Sequence, residues 1–215
     1  MADKSDYILW GLIITSVVLF KYSFEHPNAT FRNTYEPIKI TEPIQTQLNA
    51  IEPITIKDGN DFFKITPQAN YSIYAKIVSK KEYGWGWDGK LVPMDLALAW
   101  GNLLNTKNDN HISYSQSGRW YFFEYDAEYP YDVEYVLNHS ANNHIIPADS
   151  NIKNALKSVD RGQMVLLDGY LVNVNGLVNG DKVVWNSSLS RTDRGNGACE
   201  LFYVKSVRIG DRVYR

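Results

Sequence analysis

The stretch DRGQMVLLDGYLV (residues 160–172) is the part of the chain that decides the fold. Apolar residues fill most of it from Met164 onward, as expected of a strand that lies within a core. Gly169 interrupts this run, and a glycine inside a strand marks a bend or the close approach of another backbone. Bent strands of this kind build small Greek-key barrels. We therefore predict that residues 163–174 form the curved strand of a small barrel-like domain.

Other strands are predicted on both sides of this stretch. Residues 71–78 alternate in polarity, which is the pattern of a half-buried strand. Residues 112–125 are predicted to form a hairpin whose turn lies at residues 115–118. Turns are also predicted at Asn175-Gly176 and at residues 179–181. The remaining strand candidates are residues 62–65, 182–185, 200–207 and 211–214.

The best helix candidate of the domain is PMDLALAWGNLL (residues 93–104). Pro93 suits a first helical turn, and an apolar stripe follows at Leu96, Trp100, Leu103 and Leu104. Asp95 would then be either a first-turn acid favoured by the helix dipole or a catalytic carboxylate. Shorter helices are predicted at residues 131–138 and 151–158, the second capped by Asp149 or Ser150.

Strands and helices do not alternate as they do in βαβ units. The pattern therefore predicts an α+β fold, mainly antiparallel, with at least six strands and two or three short helices.

Composition excludes several classes of function. The chain has 215 residues, of which 44% are hydrophobic and 21% charged, as in ordinary globular domains. A formal charge of −2 gives no general attraction to nucleic acid, and we expect no nucleic-acid partner. The single cysteine excludes an intrachain disulfide and any multi-cysteine metal site. We predict no metal and no cofactor, since His139 and His144 lack a completing set of ligands.

The N-terminus predicts a membrane helix. Residues 7–20, YILWGLIITSVVLF, carry no charge, and Tyr7, Trp10, Lys21 and Tyr22 are suited to the two interfaces. Residues 7–22 would extend about 24 Å as a helix, somewhat short of the roughly 30 Å core of a bilayer. A cleaved signal peptide and a buried core helix are the alternatives. We expect a single-pass anchor with the following domain exported to the periplasm or the exterior.

A proline-containing segment follows the predicted anchor. Glu-Pro-Ile occurs at residues 36–38, 42–44 and 52–54, and each proline favours extended backbone before it. We expect an extended connector with edge strands; a partner-binding strand is the alternative. The predicted organisation is thus an anchor at residues 1–24, a stalk at residues 25–53 and a globular domain at residues 54–215.

One candidate chemistry uses the lone thiol. Cys199 would be the nucleophile, His144 or His111 the base and an Asp or Asn the orienting group. Arg191 and Arg194 would lower the pKa of the thiol. The alternative is a structural cysteine that enters a strand.

The other candidate chemistry is polar recognition. The stretch NSSLSRTDRGNGA (residues 186–198) is a long polar loop that follows Trp185 and precedes a strand. Trp85 and Trp87 lie in a glycine-rich loop that would display large rings, although they could equally fold back over the core. The residues predicted to bind a ligand are Trp85, Trp87, Trp185, Ser188, Arg191, Asp193 and Asn196.

These patterns predict a membrane-anchored cell-envelope protein whose exported domain binds a protein, peptide or glycan as an accessory or structural component. The alternative is a cell-envelope hydrolase or transferase that uses Cys199 and His144. Whether the chain is an enzyme is open at this point.

Overall fold

The computed structural model describes residues 27–31, 38 and 41–215. Most of this part of the chain is β-structure. The strands are β1 (Thr30–Phe31), β2 (Ile44–Gln47), β3 (Ile54–Asp58), β4 (Asp61–Glu82), β5 (Met94–Ala99), β6 (Ile112–Ser117), β7 (Trp120–Tyr125), β8 (Ser140–Pro147), β9 (Met164–Val178), β10 (Asp181–Asn186), β11 (Glu200–Ile209) and β12 (Arg212–Tyr214). The α-helices are α1 (Gly86–Leu91), α2 (Val133–Asn138) and α3 (Ser150–Lys157), and short 3₁₀ helices span Gly101–Leu104 and Thr106–His111.

Strand β4 organises the sheet. It has 22 residues and pairs antiparallel with β9 from Phe62↔Leu177 to Lys76↔Met164. Its other edge pairs in succession with β3, β2 and β5, all antiparallel. The sequence predicted two strands in this region; the structure has one, and Pro67 lies where the register with β9 shifts. A proline, which cannot donate a ladder hydrogen bond, is tolerated at such an irregularity.

The ladders continue from β5 to β8, from β8 to β11 and from β11 to β9, which pairs again with β4. The β8–β11 pair is parallel and the others in this circuit are antiparallel. Strand β4 pairs with β9 through residues 62–76 and with β5 through residues 76–82, so its two partners overlap only at Lys76. The arrangement is therefore not a closed barrel. The prediction of a strand-rich, mainly antiparallel α+β domain with few helices is confirmed.

The predicted helix at residues 93–104 is wrong. Met94–Ala99 is strand β5, and only Gly101–Leu104 is a 3₁₀ turn. Every residue of β5 is buried, since Met94, Leu96 and Leu98 face the main core while Ala97 and Ala99 face a second cluster under the β6–β7 hairpin. A strand covered on both faces loses the alternation that distinguishes it from a helix.

The shorter elements agree better with the sequence. Strands β6 and β7 form the predicted hairpin, although its turn is at Gly118 and Arg119 and not at residues 115–118. Helices α2 and α3 lie where they were predicted, and the Asp149 carboxylate accepts the Ile152 N–H at 2.9 Å as the N-cap of α3. Asn175-Gly176 is not a turn, because both residues lie within β9.

The predicted anchor, residues 1–24, lies outside the described residues. Within the part of the chain that the structure describes, no helix is both long enough and apolar enough to cross a membrane. In the region predicted as a stalk, β1 pairs with β12 and β2 pairs with β4. Glu42 also accepts a hydrogen bond from the indole Nε1 of Trp100 at 2.8 Å, so this segment contacts the domain.

Gly169 marks a close approach, as its place in the sequence predicts. A Cβ atom at this position would lie 1.9 Å from the carbonyl oxygen of Tyr203 on β11. The register between β9 and β11 shifts at the same place, between Val204 and Ser206. Only a residue without a side chain therefore lets β9 bend against β11.

We expect Gly169→Ala to lower the free energy of unfolding by at least about 2 kcal/mol, because the added methyl group must displace backbone. Urea unfolding followed by circular dichroism measures this change. Gly84→Ala is the matched control, since nothing lies within 4 Å of a Cβ built at Gly84. Equal stability of the two variants would contradict the close approach.

Candidate functional site

A cavity of about 180 Å³ lies between the loop at residues 187–199, the hairpin strand β7 and the start of β8. This is below the roughly 300 Å³ at which pockets for drug-sized ligands begin, so the cavity suits one ring or one residue. Its apolar wall is formed by Trp100, Trp120, Tyr121, Leu137, Ala141 and Ala198. Its polar wall is formed by Ser140, Asn142, Ser190, Arg191, Asp193, Arg194, Cys199 and Glu200.

Hydrogen bonds within the loop and to its neighbours hold the polar wall in place. The buried hydroxyl of Ser188 donates to Asp193 Oδ2 at 2.6 Å and accepts the Ser190 N–H at 2.9 Å. Arg194 reaches the end of α2, where it donates to Asn138 Oδ1 at 2.6 Å. Short polar side chains satisfy the backbone of this loop and thereby fix its shape.

Rings support the apolar wall. A chain of neighbouring aromatic groups runs from Tyr121 through Phe123, Tyr125, Tyr129, Tyr131, Tyr135 and His139 to Trp100. The two ends of this chain, Tyr121 and Trp100, both line the cavity. Contacts between aromatic rings add to the energy of burial, so both sides of the wall are braced by one packed set of rings.

The guanidinium of Arg191 has hydrogen-bond partners on only one of its nitrogens, Nη1. Its Nη1 donates to Tyr71 Oη at 3.2 Å and pairs with the carboxylate of Glu200. Its Nε and Nη2 are buried without a hydrogen-bond partner, and so is Oε2 of Glu200. Buried polar atoms of this kind are rare in native proteins and need an explanation.

Burial governs the ionisation of Glu200. The side chain is almost fully buried, and loss of hydration raises the pKa of its carboxyl from 4.5 to about 7, while the nearby Arg191 opposes this rise. The carboxyl of Glu200 therefore keeps its proton to a higher pH than an exposed glutamate does. Burial, together with the charge of Glu200, likewise raises the pKa of the Tyr71 hydroxyl.

Asp95 and His144 lie next to each other, and Asp95 also belongs to an ion-pair network around Arg119. Asp95 Oδ1 lies 2.9 Å from His144 Nδ1, yet the two atoms are not aligned for a hydrogen bond. The same oxygen accepts a hydrogen bond from Arg119 Nη1 at 2.8 Å, and Arg119 also binds Asp88 at 2.9 Å. The guanidinium of Arg119 lies 3.6 Å from the centre of the Tyr83 ring. This network ties the turn of the hairpin to β5 and α1.

Cys199 lies in the cavity wall without a base. Burial chiefly, and then the charges of Glu200 and Asp95, raise the pKa of its thiol from 9.0 to about 12. Among the described residues no hydrogen bond joins the thiol to His144 or to another histidine, although sulfur contacts out to 4.0 Å count as such. A nucleophilic cysteine needs the opposite shift in pKa. The predicted role of Cys199 as nucleophile stays a prediction.

The predicted binding residues are only partly gathered at the cavity. Arg191 and Asp193 line it, Ser188 supports its loop, and Asn196 lies exposed beyond it. Trp87 folds back onto Phe63 and Trp185, with ring centres at 5.9 and 6.2 Å, so these tryptophans belong to the core. Trp85 is 93% exposed and does not line the cavity.

Sequence reasoning missed Glu200, Trp120, Tyr121 and Asn142. Glu200 reaches the site because β11 pairs parallel with β8, a long-range contact that carries no local pattern. The strongly aromatic strand β7 was visible in the sequence, and its rings were a signal for the apolar wall.

Comparisons with protein-family models, with curated proteins and with solved structures found no match to this chain.

The raised pKa of Glu200 predicts a pH dependence of stability. Between its unfolded value of 4.5 and its folded value of about 7 the folded state binds more protons, so stability falls as pH rises through this window. The loss is on the order of 3 kcal/mol at most, at 1.36 kcal/mol per pKa unit. Urea unfolding from pH 4.5 to 8 measures it.

Glu200→Gln should remove this component of the slope and leave the rest of the profile unchanged. Glu82→Gln is a control on an exposed carboxyl of the same sheet. If wild type and Glu200→Gln lose stability in parallel over this range, the assignment to Glu200 is wrong.

We expect the native Cys199 thiol to react with iodoacetamide at pH 8 at least about tenfold more slowly than the same thiol in urea, because its pKa is raised and its surface is partly covered. Mass spectrometry follows the reaction without background, since the chain has one cysteine. Faster reaction in the native protein would favour the hydrolase or transferase alternative.

Proposed function

We propose that this protein acts by binding, and that its cavity holds a small polar ligand or one residue of a partner chain. It would serve as an accessory or structural component and not as an enzyme. An exported domain held to a membrane through residues 7–22, and hence a location at the cell envelope, stay part of the proposal as predicted from the sequence.

One observation carries this proposal: a hydrogen-bonded polar loop faces a braced aromatic wall across a cavity of about 180 Å³. Ligand sites combine apolar and aromatic lining with a few fixed polar groups. Side chains that are already held in place lose little conformational freedom on binding, and this favours affinity.

The strand order supports the same location for binding. Counted along the chain, β4, β5, β8, β9 and β11 are five strands whose ladders would form a partly open Greek-key barrel of the oligonucleotide- and oligosaccharide-binding type. Such barrels bind ligands on the face of their second and third strands and with the loop before the last strand. The cavity lies against β8 and that loop. This support is an analogy of fold.

The full-length chain in detergent micelles can be titrated with three probes: N-acetylglucosamine, N-acetyl-leucinamide and N-acetyl-leucine. Saturation-transfer difference NMR detects weak binding of each. We expect at least one probe to saturate. Trp120→Ala should weaken that binding about five- to tenfold, because the variant removes a ring of the cavity wall.

Trp85→Ala is the matched control, since it removes a more exposed ring that does not line the cavity. It should leave the affinity within about twofold of wild type. Failure of all three probes to saturate, or equal losses in the two tryptophan variants, would refute binding in this cavity.

A further inference from the structure

The outer face of the β6–β7 hairpin carries large rings that the domain does not cover. Trp120 and Phe122 are 44% and 51% exposed. Glu124 follows them on the same face of β7, because side chains two apart in a strand point the same way. Across the ladder these three residues pair only with serines of β6. Trp120 also lines the cavity, so this face continues directly from the candidate site.

Strand β7 also has a free edge. In the described part of the chain it pairs with β6 alone, and the two form a separate two-stranded sheet. A two-residue turn at Gly118 and Arg119 makes Ser117 and Trp120 the first bonded pair, and alternate residues of β7 then bond to β6. The backbone groups of Tyr121 and of residue 123 therefore point away from β6, where an extended chain can pair with them.

The charge on this side of the domain selects the partner. Residues 120–134 contain five acidic side chains, all exposed, and no lysine or arginine. Contacts with His111 and Arg194 compensate part of this charge. Glu124 has no ion pair or hydrogen bond with any described residue. A basic side chain opposite Glu124 is attracted to this surface, whereas a second copy of the chain or an anionic membrane is repelled by it.

We propose that the free edge of β7 binds an extended segment of a partner protein that places one basic and two apolar side chains on the outer face of the hairpin. The segment pairs antiparallel with β7, because antiparallel ladders are the more stable per residue. Its basic residue lies opposite Glu124, its first apolar residue opposite Phe122, and its second opposite Trp120 in the cavity wall. The pattern is Lys-x-Leu-x-Leu or its equivalent with arginine and other apolar residues. This inference rests on the proposed binding function and specifies its partner.

Peptides titrated against the full-length chain in detergent micelles test the pattern. A dye-labelled, amidated peptide Lys-Thr-Leu-Thr-Leu is followed by fluorescence anisotropy, with empty micelles as the blank. It should bind at least about tenfold more tightly than Lys-Leu-Leu-Thr-Thr, which has the same composition without the alternation. Equal binding of the two peptides would overturn the inference.

Methylated backbones separate edge pairing from contact between side chains alone. In the antiparallel pairing the two threonine N–H groups donate to carbonyls of β7, whereas the leucine N–H groups point away from it. N-methylation of both threonines should therefore weaken binding at least about tenfold, and N-methylation of both leucines by about threefold at most. Equal losses from the two modifications would overturn edge pairing.

Variants at exposed positions of β7 test the protein side of the contact. Phe122→Ser should weaken Lys-Thr-Leu-Thr-Leu about five- to tenfold, whereas Val184→Ser, at a 64% exposed residue of β10, is the control and should change it by less than about twofold. Glu124→Lys should weaken this peptide at least about fivefold and strengthen Glu-Thr-Leu-Thr-Leu, because the charges are exchanged. A merely structural role of Glu124 would not exchange the preference. Thermal unfolding is measured on each variant.

The outcomes distinguish this partner from the function on which it rests. Binding of a small cavity probe without binding of Lys-Thr-Leu-Thr-Leu would overturn the partner segment and leave binding in the cavity intact. Absence of binding by every probe and peptide would overturn both. Analytical ultracentrifugation tests the other occupant: a dimer of the full-length chain that Phe122→Ser dissociates would show that a second copy fills the edge, and it would overturn the partner segment.

Discussion

The structure depends on the double pairing of one long strand. β4 offers one edge to β9 over most of its length, while β3, β2 and β5 follow one another along its other edge. Because each backbone group of a buried strand must find a partner, three shorter strands together supply the partners along this second edge. β5 pairs only with the last part of β4, from Lys76 to Glu82, and so β8 and β11 must bridge the distance back to β9.

This placement of β5 determines the candidate site. Asp95 is fully buried on β5 and holds Arg119 at the turn of the β6–β7 hairpin. The hairpin then lies over β8, where Gln116 donates to Asn142 and Tyr121 to the carbonyl of Ser140. Removing one partner of a buried ion pair typically costs about 3–5 kcal/mol, because the other charge is left buried and unpaired. The Asp95–Arg119 pair therefore holds the turn of the hairpin to β5. The aromatic wall of the cavity follows from that docking.

Most strands and helices could be predicted from the sequence, whereas the pairing of the strands could not. Alternation marked the central part of β4, and capping residues marked α3, because both signals are local. β5 was taken for a helix because a strand buried on both faces has no alternating pattern. Asn175-Gly176 suggested a turn, but Gly176 serves close packing instead: a Cβ there would lie 2.8 Å from the carbonyl oxygen of Phe62. The polar loop with Arg191 and Asp193 could be predicted from composition. Glu200 could not, because the long-range pairing of β11 with β8 brings it to the loop. The rings of β7 were visible in the sequence, but the docking of the hairpin over β8, which places Trp120 at the loop, was not.

The start of β11 shows how burial changes the acidity of two neighbouring side chains. Cys199 and Glu200 are adjacent, and both lie where water is largely excluded, so desolvation raises the pKa of each. A thiol with a pKa of about 12 is neutral at physiological pH, and the carboxyl of Glu200 keeps its proton to a higher pH than an exposed glutamate does. Burial of this short segment therefore makes Cys199 a weaker nucleophile and reduces the negative charge of the polar wall.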